Sequence, residues 1–144
     1  MSDFRTLSAG YSVAPQISIE DIAEAKAQGF AMVVNNRPDG EEPSAPQGEH
    51  ISTAAAAEGL AYAAIPVGQA GFSHAQLDAL DAVLAGATGP VLAYCRSGTR
   101  STHLWALARV RAGDDVGAIV DAAAAAGYDL TGLRPMMDAL AGEQ

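Results

Sequence analysis

The chain holds one cysteine, Cys95, and it heads the run Tyr94-Cys95-Arg96-Ser97-Gly98-Thr99-Arg100-Ser101. A lone thiol cannot close an internal disulfide, so it either fills the core or does chemistry. The residues before it, Val91-Leu92-Ala93-Tyr94, read as a buried strand. Those after it turn polar at once, ahead of an apolar helix over 102–111. In parallel α/β sheets a ligand binds beyond the carboxyl ends of the strands, where helix N-termini present unpaired amides. Gly98 lets the backbone turn successive N–H groups inward, Ser97 and Thr99 supply hydroxyls, and Arg100 can hold an anion through two parallel hydrogen bonds. All of these favour the thiolate, which is the nucleophilic form. Core filling, the ordinary role of a free cysteine, fits poorly with so polar a loop. Arg96 and Ser101 complete the set of candidate anion contacts. With four residues between Cys95 and Arg100, one arginine faces solvent, and Arg96 is expected to be that one.

Two chemistries use a loop of this kind. A cysteine phosphatase attacks a phosphoester and carries a phosphocysteine, whereas a sulfurtransferase carries a persulfide on the same atom. The spacing here is one residue shorter than the phosphatase pattern, and the loop resembles the CRSGxRS loop of small rhodanese domains.

The elements that must position this loop follow from the apolar pattern. Residues 12–14 suit a short first strand. Ile17, Ile19, Ile22 and Ala23 share a helical face in a segment that opens near Ser18 and stops at Gly29, and 30–34 reads as a buried strand. Segment 35–48 has Pro38, Gly40, Pro43, Pro46 and Gly48 among polar residues, which predicts a long loop of the sort that carries function. An alanine-rich helix over 51–58 feeds a buried strand over 60–67. Ser73 and Gln76 form a capping-box pattern ahead of a third helix, and Gly89-Pro90 closes that unit. Asp114 or Asp115 caps a helix through Ala126, whose alanine run at 122–126 predicts close helix packing, and 133–140 makes a last short helix. This alternation predicts one layered α/β domain over 1–144, a largely parallel sheet of about four or five strands flanked by helices.

Beyond the cysteine loop, three more stretches are informative: Val33-Val34-Asn35-Asn36-Arg37-Pro38-Asp39-Gly40-Glu41-Glu42-Pro43, then Ile65-Pro66-Val67, then Leu104-Trp105-Ala106-Leu107. Taken with the run 94–101, their order and spacing resemble the phosphatase-like domain of the beta-lactamase-hydrolase-like proteins, over about 12–140 of the chain. The resemblance implies a fold like that of tyrosine and dual-specificity phosphatases. It also implies a family often described as sulfur transferases, some of them fused to persulfide-handling metallo-hydrolase domains, so that such a hydrolase is an expected partner.

Fold and chemistry pull apart here, and the site must decide. Phosphatases of that fold protonate the leaving alkoxide with a general acid, usually an aspartate in the loop after the strand that corresponds to 60–67. In this chain that loop reads Gly68-Gln69-Ala70-Gly71-Phe72, without a carboxylate, and a missing general acid costs about 10² to 10⁴ in rate. Sulfur transfer between thiolates needs none, because its leaving groups are stable anions. Asp39, Glu41 or Glu42 could reach the site from the 36–48 loop, with Asp39 the candidate general acid; the alternative is a solvated acidic turn. Asn36 and Arg37 follow a buried strand directly and are candidate substrate contacts on the rim that carries Cys95. His50 and His74 read as surface or cap residues, His103 falls early in the helix after the loop, and no pair has metal-ligand spacing, so neither metal nor cofactor is expected. Trp105, among Leu104, Leu107 and Val110, reads as core.

A net charge of −9, with only eight lysines and arginines, argues against nucleic acid and leaves a small anion, a sulfur compound or a phosphoester, as the ligand. No apolar run approaches membrane-spanning length, and residues 1–10 lack the basic start and apolar core of a secretory signal. A cytoplasmic enzyme with no membrane partner is therefore expected. The first expectation is a rhodanese-type sulfurtransferase. In it Cys95 takes sulfane sulfur from thiosulfate or glutathione persulfide and passes it to an external thiol, sulfite or cyanide. The alternative is a phosphatase acting through phospho-Cys95, and the third reading is a redox or anion-sensing module.

Overall fold

Val91, Leu92, Ala93 and Tyr94 are all buried, as a strand covered on both faces requires, and the computed structural model sets them at the centre of the sheet. It describes residues 3–142; residues 1, 2, 143 and 144 of the expected domain lie outside the described residues. The strands are β1 (Arg5–Ser8), β2 (Tyr11–Ala14), β3 (Met32–Asn35), β4 (Ala61–Ala64) and β5 (Val91–Tyr94). They form one sheet in the order β1-β2-β5-β3-β4, with β1 antiparallel to β2 and every other pair parallel. Ala14, Tyr94 and Asn35 end their strands side by side. The chain therefore leaves β2, β5 and β3 at one edge of the sheet, and this is the edge that holds Cys95.

Side chains alternate across the sheet with the period of two that a pleated strand imposes. Val33, Leu92 and Tyr94 pack with Ile22 and Ala25 of α1 (Ile19–Ala27) and Ile51 and Ala55 of α2 (Gly48–Ala57). Val13, Val34 and Ala93 face the other way, onto α3 (His74–Gly86), α4 (Thr99–Arg111), α5 (Val116–Ala125) and α6 (Arg134–Ala141). Of these, α4 is buried on nearly every side. That explains its weak amphipathic pattern, since a helix wrapped by neighbours has no polar face to keep. The result is a single α/β domain. No helix among the described residues is long and apolar enough to cross a membrane.

Helix starts follow the local chemistry. Ser18 and Asp21 cap α1 reciprocally, and so do Ser73 and Gln76 for α3. Asp115, of the two aspartates expected, caps α5 by accepting from the Ala118 amide. Four expectations need correction. A first strand, β1, precedes the one at 12–14; it is short and half-exposed, and forms a hairpin with β2 that apolar periodicity does not reveal. The strand within 60–67 is an edge strand with both terminal residues exposed, because its alanines are small enough to need little cover. Helices α2 and α4 each begin about a turn earlier than residues 51 and 102, since polar residues are good formers of a first turn. In the alanine run only Ala123 is buried, while Ala124 and Ala125 face solvent.

Candidate active site

Cys95 follows β5 directly and is fully buried. The loop behind it closes in three residues. Gly98 takes φ +90°, a left-handed conformation that other residues adopt only with strain, and its amide donates to Cys95 Sγ at 3.1 Å. Gly98 is also the N-cap of α4, so the helix opens on top of the thiol, and the amides of Arg100 and Ser101 have no acceptor within the helix. The loop is pinned to β2 by the Gln16 amide, which donates to the Arg96 carbonyl, and by the Cys95 amide, which donates to the Ala14 carbonyl. From the far side the Tyr128 hydroxyl donates to the Ser97 carbonyl at 3.1 Å. A Cβ on Gly98 would meet that hydroxyl in hard contact. Arg5 of β1 lies over the Tyr128 ring, 5.2 Å from its centroid.

Arg100, in the first turn of α4, is half-buried. Its guanidinium donates to both oxygens of the Glu41 carboxylate, Nη1 to Oε2 at 2.6 Å and Nη2 to Oε1 at 2.9 Å, and Nη1 also donates to the Val67 carbonyl at 2.7 Å. Arg37 Nε donates to Glu41 Oε1 at 2.9 Å, and Arg37 Nη1 donates to Gln16 Oε1 at 2.9 Å. Hydrogen bonds from Arg100 first, then from Arg37, hold the Glu41 carboxyl down at about 2, so it is an anion throughout the neutral range. Arg37, Glu41, Gly68, Gln69, Arg96 and Arg100 line a pocket of about 450 Å³ that stops short of Cys95. A larger hollow of about 880 Å³ opens at the other edge of the sheet, around Gly10, Gly89 and Val91, and none of the Cys95 loop borders it.

The structure thus gathers Cys95, Arg96, Ser97, Gly98, Thr99, Arg100, Ser101 and Arg37 at one edge of the sheet. Arg96 is exposed on the pocket wall while Arg100 turns inward. Ser97 and Thr99 hydroxyls bond each other at 2.9 Å, and the buried Ser101 hydroxyl has no partner among the described residues. Asn36 is not at the ligand surface. It is fully buried, its side-chain amide donates to the Ile65 carbonyl, and its backbone ties β5 to the segment after β4. Asp39 also lies elsewhere: Oδ1 accepts from the Gly48 amide at 2.8 Å and so caps α2. Its carboxylate is thereby committed to a helix start, and Glu41 is the acid that reaches the Cys95 loop. Glu42 accepts from the amide and hydroxyl of Ser44. Two contributors had no signal in the sequence. Gln16 and Tyr128 sit far from the motif along the chain, and only the tertiary fold brings them to it.

The arrangement can hold a tetrahedral anion between Arg100 and the first-turn amides of α4, with a sulfur nucleophile beneath it. Comparisons with known proteins show the family and the fold. The family model of the beta-lactamase hydrolase-like protein, phosphatase-like domain, matches residues 3–112. The Beta-lactamase hydrolase-like protein of Agrobacterium fabrum (strain C58) is 41% identical over 96 residues, which are 67% of this chain and 22% of that protein. The chain therefore spans about a fifth of the length of the curated relative. A crystal structure from Neisseria meningitidis Z2491, provisionally assigned as a phosphatase, superposes with a TM-score of 0.86 at 29% identity, covering 97% of this chain and 99% of that one. The core catalytic domain of the S. cerevisiae PP-IP phosphatase SIW14, solved with citrate, gives a TM-score of 0.64 at 16% identity over 94% and 91% of the two chains, a likeness of fold alone.

Proposed function

This chain belongs to the phosphatase-like domain family of the beta-lactamase hydrolase-like proteins, and from that membership and the site's geometry we propose that it is a cysteine-dependent phosphatase. Cys95 attacks phosphorus, and the phosphoryl group passes through a phospho-Cys95 intermediate that water then cleaves. The observation that carries the reading is the placement of the Cys95 sulfur under the N-terminus of α4, the helix whose first turn carries Arg100. Backbone amides and a forked guanidinium stabilise the charge that develops on the equatorial oxygens of a transferring phosphoryl group. Phosphoesters or related small anions are the substrate class this supports.

Sulfur transfer is the second reading, and a specific observation favours it. The loop 68–72 offers no carboxylate, and Glu41 is ionised and bound to Arg100. A thiolate or sulfite leaving group needs no proton, so a persulfide on Cys95 would form and discharge at such a site unaided. The fused domains that the relatives' greater length implies would then be sources or sinks for the sulfur.

Intact mass separates the two readings. Brief exposure to an aryl phosphate should add a phosphoryl group of about 80 mass units to the wild type and nothing to Cys95→Ser. Addition of about 32 mass units from thiosulfate or glutathione persulfide, removed by sulfite, with no phosphoryl adduct and no phosphate release, would replace the first reading with the second.

A further inference from the structure

We propose that Glu41 is the general acid of the phosphatase reaction, brought into action by the substrate itself: an entering phosphoryl group takes Arg100 from Glu41, which stays on Arg37 and protonates the leaving oxygen. The inference rests on the phosphatase reading above and names the acid that the reading lacks.

Three features of the resting site carry it. The Arg100 fork that a phosphoryl group would occupy is already filled by a carboxylate with the same two-oxygen geometry. The pocket is lined by Arg100 and Glu41 together, and the buried Cys95 thiol lies beyond its lining. Glu41 has somewhere to go. Arg37 holds it independently through Nε and is itself fixed to Gln16, while Arg100 keeps its aim through the Val67 carbonyl. The exchange is therefore a pivot about Arg37 that leaves the carboxylate on the pocket wall, where the ester oxygen of a bound substrate emerges. The other acids of the loop are engaged elsewhere, Asp39 with α2 and Glu42 with Ser44.

The exchange also changes the charge that Glu41 faces. Around Glu41, Arg37 comes from its own loop, Arg100 and Arg96 from the Cys95 loop and α4, and Gly68 and Gln69 opposite carry no charge. A bound phosphate dianion removes Arg100 from the carboxylate and sets a like charge beside it, and both changes favour the protonated acid. As Arg100 leaves it, the Glu41 carboxylate takes up one proton from solvent, and with that proton supplied the bonds balance. The Cys95 thiolate forms the S–P bond, the P–O bond to the alcohol breaks, and the departing oxygen keeps the electron pair and takes the Glu41 proton. In the second step the Glu41 carboxylate accepts a proton from water as its oxygen attacks phosphorus. The S–P bond breaks, the Cys95 thiolate returns, and Glu41, again protonated, gives its proton back to solvent when phosphate leaves and Arg100 pairs with it once more.

The test compares phenyl phosphate, which needs a proton on its leaving group, with dinitrophenyl phosphate, which does not. Glu41→Gln should lower kcat/KM for phenyl phosphate by about 10²-fold or more, and change that for dinitrophenyl phosphate by no more than about three-fold. Glu41→Asp should recover at least about ten-fold of the loss, since the carboxyl group returns on a shorter stem. Wild-type kcat on phenyl phosphate should fall at alkaline pH as the acid deprotonates, and the dinitrophenyl rate should lack that limb. This measurement stands even where a variant fails to fold. Equal slowing of both substrates, or of neither, or a shared alkaline limb, overturns the role of Glu41 and leaves the phosphatase reading intact. A wild-type enzyme inert to both esters overturns the two together.

Discussion

A methyl group on Gly98 should disturb the Cys95 loop in two ways that can be weighed separately. Gly98 sits at φ +90°, and an L-residue held there costs about 1–2 kcal/mol. The new Cβ would also run into Tyr128, meeting its hydroxyl in hard contact and Cζ at 2.9 Å, so the ring must move and give up its hydrogen bond to the Ser97 carbonyl. That loss is worth about 1 kcal/mol. Alanine's narrower unfolded ensemble offsets about 0.5 kcal/mol. The expected net effect of Gly98→Ala is thus about 2 kcal/mol of destabilisation, read as a lower midpoint in equilibrium urea unfolding. Turnover should fall as well, because the amide that donates to Cys95 Sγ belongs to the displaced residue. Tyr128→Phe removes the atom in hardest contact. The double variant should therefore be more stable than the sum of the single losses by about 1 kcal/mol. A Gly98→Ala loss below about 0.5 kcal/mol, or strict additivity with Tyr128→Phe, would refute the account of how this loop is braced.

Other expectations concern the loop over the site. Asp39→Ala should cost about 1 kcal/mol through the lost cap of α2, yet leave the dependence of rate on the leaving group unchanged, as steady-state kinetics on the two aryl phosphates would show. Glu41 has a folded pKa of about 2, below its ordinary 4.5, so its ion pairs contribute stability in full above pH 4.5 and lose it as the pH falls toward 2. Urea midpoints of wild type and Glu41→Gln should accordingly differ at neutral pH and converge toward pH 2; a constant gap would show that the charge is not what matters. Gly48→Ala places a Cβ 2.9 Å from the Tyr62 hydroxyl and 3.1 Å from both Asn35 Nδ2 and Asp39 Oδ1. It should destabilise by about 1–3 kcal/mol and raise amide exchange through residues 36–47, since overpacking there pries the loop off its base.

Where local chemistry decides structure, the sequence was readable. The capping pairs Ser18–Asp21 and Ser73–Gln76, the glycine after Gln28 and the unbroken apolar run at 91–94 each act over a few residues, and each produced its expected element. The Cys95 loop was legible for the same reason: a strand end, a glycine and a helix start are consecutive in the chain. Strand β1 was not, because its four residues, of which only Leu7 is buried, gain their place from pairing with β2 rather than from their own pattern. The choice among Asp39, Glu41 and Glu42 was also beyond the sequence. Neighbouring residues in a turn point in different directions, and only the position of Gly48, Arg100 and Ser44 around that turn assigns each carboxylate its partner. Tyr128 bonds a loop residue 31 positions earlier in the chain, a distance over which no local signal operates.

The stretch recognisable by family ends at residue 112, just past the last turn of α4. The folding unit does not end there. Ile119, Ala123, Leu130, Leu133, Met137 and Leu140 all belong to the core that surrounds α4, and Tyr128 props the nucleophile's loop from the same later segment. Sequence kinship and mechanical integrity therefore have different boundaries in this domain. A fragment trimmed to the recognisable stretch would keep every residue of the motif and lose the wall that keeps the motif in shape. What the last helices must supply is something apolar to cover α4 and something rigid to lean on the loop.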